Sequence, residues 1–466
     1  MKSFSPQQRL VLIVSILASF ISFLDGFVVN VALPAIVREL GGGLVAQQWI
    51  VNAYLLTLGS LMLIAGSLSD IFGRVRILVF GLIGFGAASV LCAVAPNELF
   101  LIIGRGIQGA AGALLVPSSL ALIVSSFSGS KQGKAIGIWT SWTVVASVMG
   151  PLLGGFLIDI ASWRLIFAIN ILPILVTLWL IRSLKPVGEA NENTRVDGIG
   201  ALLCAIGLGG ITYALIEQPN LGWFHPLIDS SLIIGIISFV SFLWYEKRTP
   251  HPMLPLSLFN NRNFAAGNIA TVFIYGGLSL STFIVTIFIQ QIAGYSALAA
   301  GLTFLPVTVL MFTLSSYFGG LAGKYGPRFF MSVGPIVAGI GFLLMLMADN
   351  TVNYWTDLLP GILGFGLGLS ITVAPLTSAI LGSISSRQSG IGSAINNAVS
   401  RIAGLVAIAT IGVIVGTSLN VQGFHAGLIF TAALLFTGGI ISFFGIKNSL
   451  VASRPSDDQT TAQHTQ

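Results

Sequence analysis

Asp25 lies inside an apolar run from Leu10 to Leu33, a setting in which a carboxylate is costly enough to mark a coupling or substrate position. It is the one acid set deep in an apolar segment; the others, from Glu39 and Asp70 to Asp458, fall at segment ends, in connections or in the tail. Arg105 and Arg401 are the cations with the same property, the second just after Asn396 and Asn397. A buried carboxylate near a movable guanidinium can carry a proton, because burial favours the neutral acid and approach of the cation favours the anion. A permanent structural ion bridge is the other reading of Asp25 and Arg105. One acid with two arginines offers little to a dication and favours neutral or weakly acidic amphiphiles as the bound compound.

These residues must be held by membrane helices. The chain is 55% hydrophobic and only 8% charged, whereas about a quarter of the residues of a soluble globule are charged. Its apolar runs do not alternate with polar residues, which excludes a β-barrel. Runs of the ~20 residues needed to cross the hydrocarbon number about fourteen. They centre near Ile21, Leu58, Ala87, Gly112, Ala146, Leu175, Ile206, Ile236, Leu278, Met311, Ile340, Gly368, Leu405 and Leu435. Counting from Leu33, Asp25 is ~12 Å below the end of its helix, and Arg105, counted from Leu99, is ~9 Å below the same surface. Contact across the bundle is therefore expected.

Loop charges test the count. Of the 21 Lys and Arg, all but Arg38, Arg164, Arg105 and Arg401 fall on one side, including Lys2, Lys185, Arg195, Arg387 and Arg454. By the positive-inside rule that side is cytoplasmic, and an even number of crossings puts both termini there. The first run is too long for a cleaved signal and is expected to stay as an anchor. From Ser453 the tail is polar and is expected to be disordered.

Other chemistries find little support. Cys92 and Cys204 sit in separate apolar runs, and His225, His251, His425 and His464 show no ligand spacing, so neither metal nor cofactor is expected. The stretch GSKQGKA from Gly129 lacks the spacing and final hydroxyl of a phosphate loop, and no basic tract suits nucleic acid. The expected energy source is an ion gradient, and an enzyme is not expected.

GSLSDIFGRVRILVFG, from Gly66, has an echo in GGLAGKYGPRFFMSVG, from Gly319. Repeated halves are the sequence sign of a rocking transporter with its site between them. With RGIQGAAGA from Arg105, MGPLLGG around Gly150 and LDGFVVNVALP from Leu24, the chain resembles the major facilitator superfamily, in particular its fourteen-helix drug:proton antiporters. The resemblance covers nearly the whole chain. It implies an all-α membrane fold of two six-helix halves, residues 1–185 and 263–450, with two inserted helices in 186–262 and a polar tail, 451–466.

The resemblance also implies roles. Asp25 and Arg105 would couple protons. Gly66, Asp70, Gly73 and Arg74 of the loop motif, and Gly150, Pro151, Gly154 and Gly155 of the antiporter motif, would serve the conformational switch. Gly73 allows a tight turn, Pro151 bends its helix, and Asp70 with the arginines can pair across the halves. Asn30, Tyr54, Gln108, Trp142, Asn396, Asn397 and Arg401 are candidate cavity walls, with Trp49, Trp139, Tyr275 and Phe304 further aromatic candidates. The expected function is proton-coupled efflux of hydrophobic drugs or antibiotics across the inner membrane, by a monomer. Export of a metabolite, solute uptake, or a membrane sensor or enzyme built on such a bundle are the alternatives.

Overall fold

The computed structural model describes residues 4–184, 196–385 and 388–448. Lys2, Lys185, Arg195, Arg387, Arg454 and the tail lie outside the described residues. In chain order the α-helices are α1 (Pro6–Leu40), α2 (Gly43–Phe72), α3 (Arg74–Ala93), α4 (Glu98–Ser126), α5 (Gly129–Ile160), α6 (Leu165–Ala168), α7 (Ile171–Ile181) and α8 (Gly198–Leu221). There follow α9 (Pro226–Glu246), α10 (Arg262–Gln291), α11 (Ala297–Thr303), α12 (Leu305–Tyr325), α13 (Pro327–Leu344), α14 (Leu359–Leu381), α15 (Ser389–Val415) and α16 (Val421–Gly445). No strand occurs among the described residues.

Among those residues, 12 helical spans are long and apolar enough to cross a membrane, against the fourteen expected. The expected crossings near Ala146 and Leu175 coincide with shorter apolar stretches, Met149–Ile160 and Leu165–Ile181. The second is interrupted between α6 and α7, at Ile169 and Asn170. Many large apolar side chains face outward, among them Leu172, Trp179, Ile237, Phe312 and Phe444, a surface suited to lipid rather than water.

Local signals set the ends. Ser5 and Gln8 form a reciprocal capping box with Pro6 in the first turn of α1, which satisfies amide groups that the helix itself leaves open. Asn97 accepts from the Phe100 amide at 2.9 Å and starts α4. Gly73 joins α2 to α3 at φ +91°, a conformation that excludes most other residues. One expectation needs correction: α1 continues through Pro34 to Leu40, beyond the apolar limit at Leu33. Glu39, near its end, binds Arg164 at 2.5 Å and Trp163 at 2.6 Å, so the polar last turns are held by a neighbouring connection rather than by hydrocarbon.

Helices α1 to α7 pack mainly on one another, as do α10 and α12 to α16, while α11 packs mainly on α5, and α8 pairs with α9 beside α2 and α15. The Trp49 indole donates to Glu217 at 2.7 Å, tying α2 to α8. In lipid, where burial offers helices little advantage, close van der Waals contact must hold them together. A Cβ on Gly109 would lie 2.3 Å from the Tyr54 carbonyl oxygen and from the Thr57 hydroxyl. Gly109→Val is accordingly expected to prise α2 from α4 and to cost about 1–3 kcal/mol, the usual penalty of overpacking. A lower melting temperature of the purified protein in detergent would register it; an unchanged one would show that this helix pair can separate freely.

Candidate functional site

Asp25 is fully buried on α1, and three side chains, two from α4 and one from the break between α6 and α7, send donors to it. Arg105 of α4 donates from Nη1 to Oδ2 at 2.5 Å, while Oδ1 accepts from Gln108 Nε2 at 2.9 Å and from Asn170 Nδ2 at 3.0 Å. Ser89 Oγ joins the two amides, at 2.9 Å from Gln108 Nε2 and 3.3 Å from Asn170 Nδ2. Arg105 also donates from Nε to the Ile50 carbonyl at 3.2 Å, and its guanidinium carbon lies 4.2 Å from the Tyr54 ring centroid. An ionised carboxylate is an acceptor only, so this arrangement suits the anion.

The spacing of Arg105 and Gln108 follows from α4 itself, since positions three apart share a helix face. Asn170 did not emerge from the sequence. It sits at the break between α6 and α7, and a polar residue in an apolar stretch that fails to continue as one helix is the signal that could have exposed it. Gln108, a candidate cavity wall, instead belongs to this buried cluster.

Beside the cluster is a cavity of about 370 Å³, lined by Arg105, Asn30, Tyr54, Trp139, Tyr275, Asn396, Asn397 and Arg401 among others. Its walls come from α1, α2, α4 and α5 on one side and from α10, α14 and α15 on the other. Arg105 is on the cavity wall, and Asp25 lies behind it, off the wall. Trp142 is placed differently from expectation: it is 43% exposed and packs edge-on against Phe20. Trp49 is engaged by Glu217, and Phe304 precedes α12 outside the cavity wall.

The two groups of helices meet at the face opposite that of the described chain ends. Gln290 donates to the Val31 carbonyl at 3.0 Å, and Gln48 to the carbonyls of Ile408 at 2.8 Å and Ala409 at 3.0 Å. Asp159 accepts from the amides of Ala297 at 3.1 Å and Leu298 at 3.0 Å. The antiporter motif stands in this seam. Gly150 and Gly154 face Leu24 to Val28 of α1, whereas a Cβ on Gly155 would lie 2.6 Å from the Ala297 oxygen, and one on Gly301 would lie 2.4 Å from the Pro151 oxygen.

At the other face the groups leave a cleft of about 290 Å³ between Gly66, Asp70 and Arg74 on one side and Gly390, Ile391 and Asn397 on the other. Among the described residues Asp70 makes no ion pair across the halves. Asp70 meets Arg74 of its own loop at 3.4 Å, with both side chains partly exposed. Such an exposed pair contributes little stability, which leaves both groups available for other partners when the cleft closes.

A family model described as Major Facilitator Superfamily matches residues 15–408. The chain is 35% identical over 420 residues to the methylenomycin A resistance protein of Bacillus subtilis (strain 168), with 88% of each chain covered. It is 33% identical over 420 residues to the multidrug resistance protein Stp of Mycobacterium tuberculosis (strain CDC 1551 / Oshkosh), covering 89% of this chain and 77% of that one. The crystal structure of a peptide transporter, POT, in complex with sulfate superposes with a TM-score of 0.69 at 16% identity, covering 93% of this chain and 94% of that one. At that identity the likeness concerns the fold alone.

Proposed function

Because the chain belongs to the major facilitator superfamily, we propose that it exports hydrophobic or amphiphilic drugs or antibiotics in exchange for protons, by alternating access across a bacterial cytoplasmic membrane. The reading takes residues 1–185 and 263–450 as rocking halves, with the inserted pair in 186–262 beside them. Fourteen crossings, both termini in the cytoplasm and a functional monomer belong to the same proposal. The names of the relatives, resistance proteins for methylenomycin A and for multiple drugs, support an exported antibiotic.

The observation that carries it is the buried Asp25–Arg105 pair with Arg105 on the cavity wall. In this reading the sealed face is the outer one, and the cleft beside Asp70 and Arg74 leads inward. Arg105 donates to Asp25 and is held by it. After the halves rock, a proton from outside neutralises Asp25, the attraction to Arg105 falls, and the guanidinium can turn towards the cavity. Release of the drug and return of the proton to the cytoplasm restore the pair. Differential binding of the proton by the two states is what moves the equilibrium.

In a bacterium stripped of its own efflux pumps, expression is expected to lower accumulation of at least one antibiotic, and a protonophore to abolish the difference. Accumulation that rises on expression would establish uptake instead. A chain that moves no compound in either direction would refute the transport reading.

A further inference from the structure

We propose that the central cavity takes its substrate as an anion, an amphiphile bearing a carboxylate or a comparably acidic group, with Arg401 as its counter-ion. The inference rests on the transport reading above and specifies the substrate class of the same site. It narrows the expectation of neutral or weakly acidic amphiphiles to the acidic ones because of how the charges are arranged in space.

Two arginines and no Asp or Glu line the cavity among the described residues. Arg105 is neutralised by Asp25 directly behind it. Arg401 has no such partner. Among the described residues no carboxylate lies within ion-pair distance of it and its guanidinium donates no hydrogen bond; it stands over the Phe23 ring, its guanidinium carbon 4.9 Å from the centroid, with Tyr54 and Tyr275 on the same cavity wall. The neighbouring amides do not supply one. Neither Oδ1 of Asn396 nor Oδ1 of Asn397 accepts from Arg401 among the described residues, and their Nδ2 groups donate elsewhere, that of Asn396 to Asn268 Oδ1 at 3.1 Å and Thr271 Oγ1 at 2.9 Å, that of Asn397 to the Ser393 carbonyl at 3.0 Å.

A guanidinium carries five donors and keeps its charge at any physiological pH. Left unpaired at bilayer depth it is expensive, and such residues ordinarily face a partner or a ligand path. A carboxylate arriving from the cleft can take two parallel N–H donors from it, the strongest geometry available to that pair. The apolar body of the same molecule would lie against Phe23, Leu55 and Tyr275, which share the wall with Arg401. A cationic compound of the same shape would meet Arg401 with no carboxylate in the wall to offset it. The cavity therefore selects by repulsion as well as by attraction.

The test uses the full chain purified in detergent at neutral pH and three probes sharing one ring system: naphthaleneacetate, naphthaleneacetamide and naphthylethylamine. Trp139 on the cavity wall offers a fluorescence signal, and radiolabelled probe gives an independent one. The acid is expected to bind about tenfold or more tightly than the amide, as charge-assisted bidentate contacts imply, and the amine most weakly. Arg401→Gln should bring the acid down to the affinity of the amide while leaving the amide within about twofold, since only the charge-dependent contact is lost. Arg401→Lys, which keeps the charge but not the fork, should show an intermediate ratio, and it serves as the test should the Gln variant fail to fold. Absence of an acid preference in the wild type, including failure of the acid to bind, overturns the inference, as does an unchanged acid-to-amide ratio in the variants. Equilibrium binding needs no gradient. A missing preference therefore refutes the anion and leaves proton-driven export standing, whereas failed flux with the preference intact refutes export alone.

Discussion

Asp25→Asn is expected to abolish proton-driven export while leaving a folded protein. The amide keeps the size of the carboxylate but not its charge, and its N–H groups face the donors of Arg105, Gln108 and Asn170. Removing one partner of a buried ion pair costs about 3–5 kcal/mol, because the other charge is left uncompensated. Charged to the state described here alone, that penalty would shift the balance between the two states by roughly a hundredfold or more. The measurement is flux in proteoliposomes with and without a pH gradient. The variant should show no response to the gradient, even where substrate equilibrates slowly down its own concentration. Retention of full gradient-driven export would mean that the proton is carried elsewhere.

The second large effect is expected from a single methyl group at the seam between α5 and α11. Gly301→Ala places a Cβ 2.4 Å from the Pro151 carbonyl oxygen, and neither backbone can yield without opening the contact between α5 and α11. The overpacking penalty of about 1–3 kcal/mol falls only on the state in which this face is closed. The population ratio should then move by roughly tenfold to a hundredfold towards the outward-open state. Spin labels on the exposed Ile160 and Leu302 would report it as a longer inter-label distance, and export should slow in step. The same distance distribution in wild type and variant would show that this close approach does not seal the transporter. Asp159, which accepts from the Ala297 and Leu298 amides in the same seam, would be expected to lose these bonds as the seam opens.

Much of this was legible in one dimension because the bilayer is itself nearly one-dimensional. Apolar length reports crossings, and residue count along a helix reports depth. Both depend on sequence alone, and they placed Asp25 and Arg105 near enough to touch. Gly73 and the Gly-Pro motif were equally legible, since a positive φ or a backbone approach demands particular residue types wherever it occurs. Azimuth was not legible. Trp142 and Gln108 shared depths with true wall residues and yet point elsewhere, because helix rotation is decided by neighbours rather than by composition. The length of α1 was misjudged for a related reason: its polar end is held by Arg164 and Trp163, partners more than a hundred positions away in the chain.

By itself, then, the sequence determined the solvent, the helical class, the depth of each charge and the small residues that close contacts require. Tertiary structure alone decided which side chains meet: Asn170 and Ser89 completing the shell of Asp25, Asp70 turned to Arg74 within its own loop, and Arg401 left without a carboxylate among the described residues. The physical reason is that pairing depends on the relative rotation and tilt of separate helices. Those are set by interdigitation of the whole bundle in lipid, where close packing does the work that burial does in water.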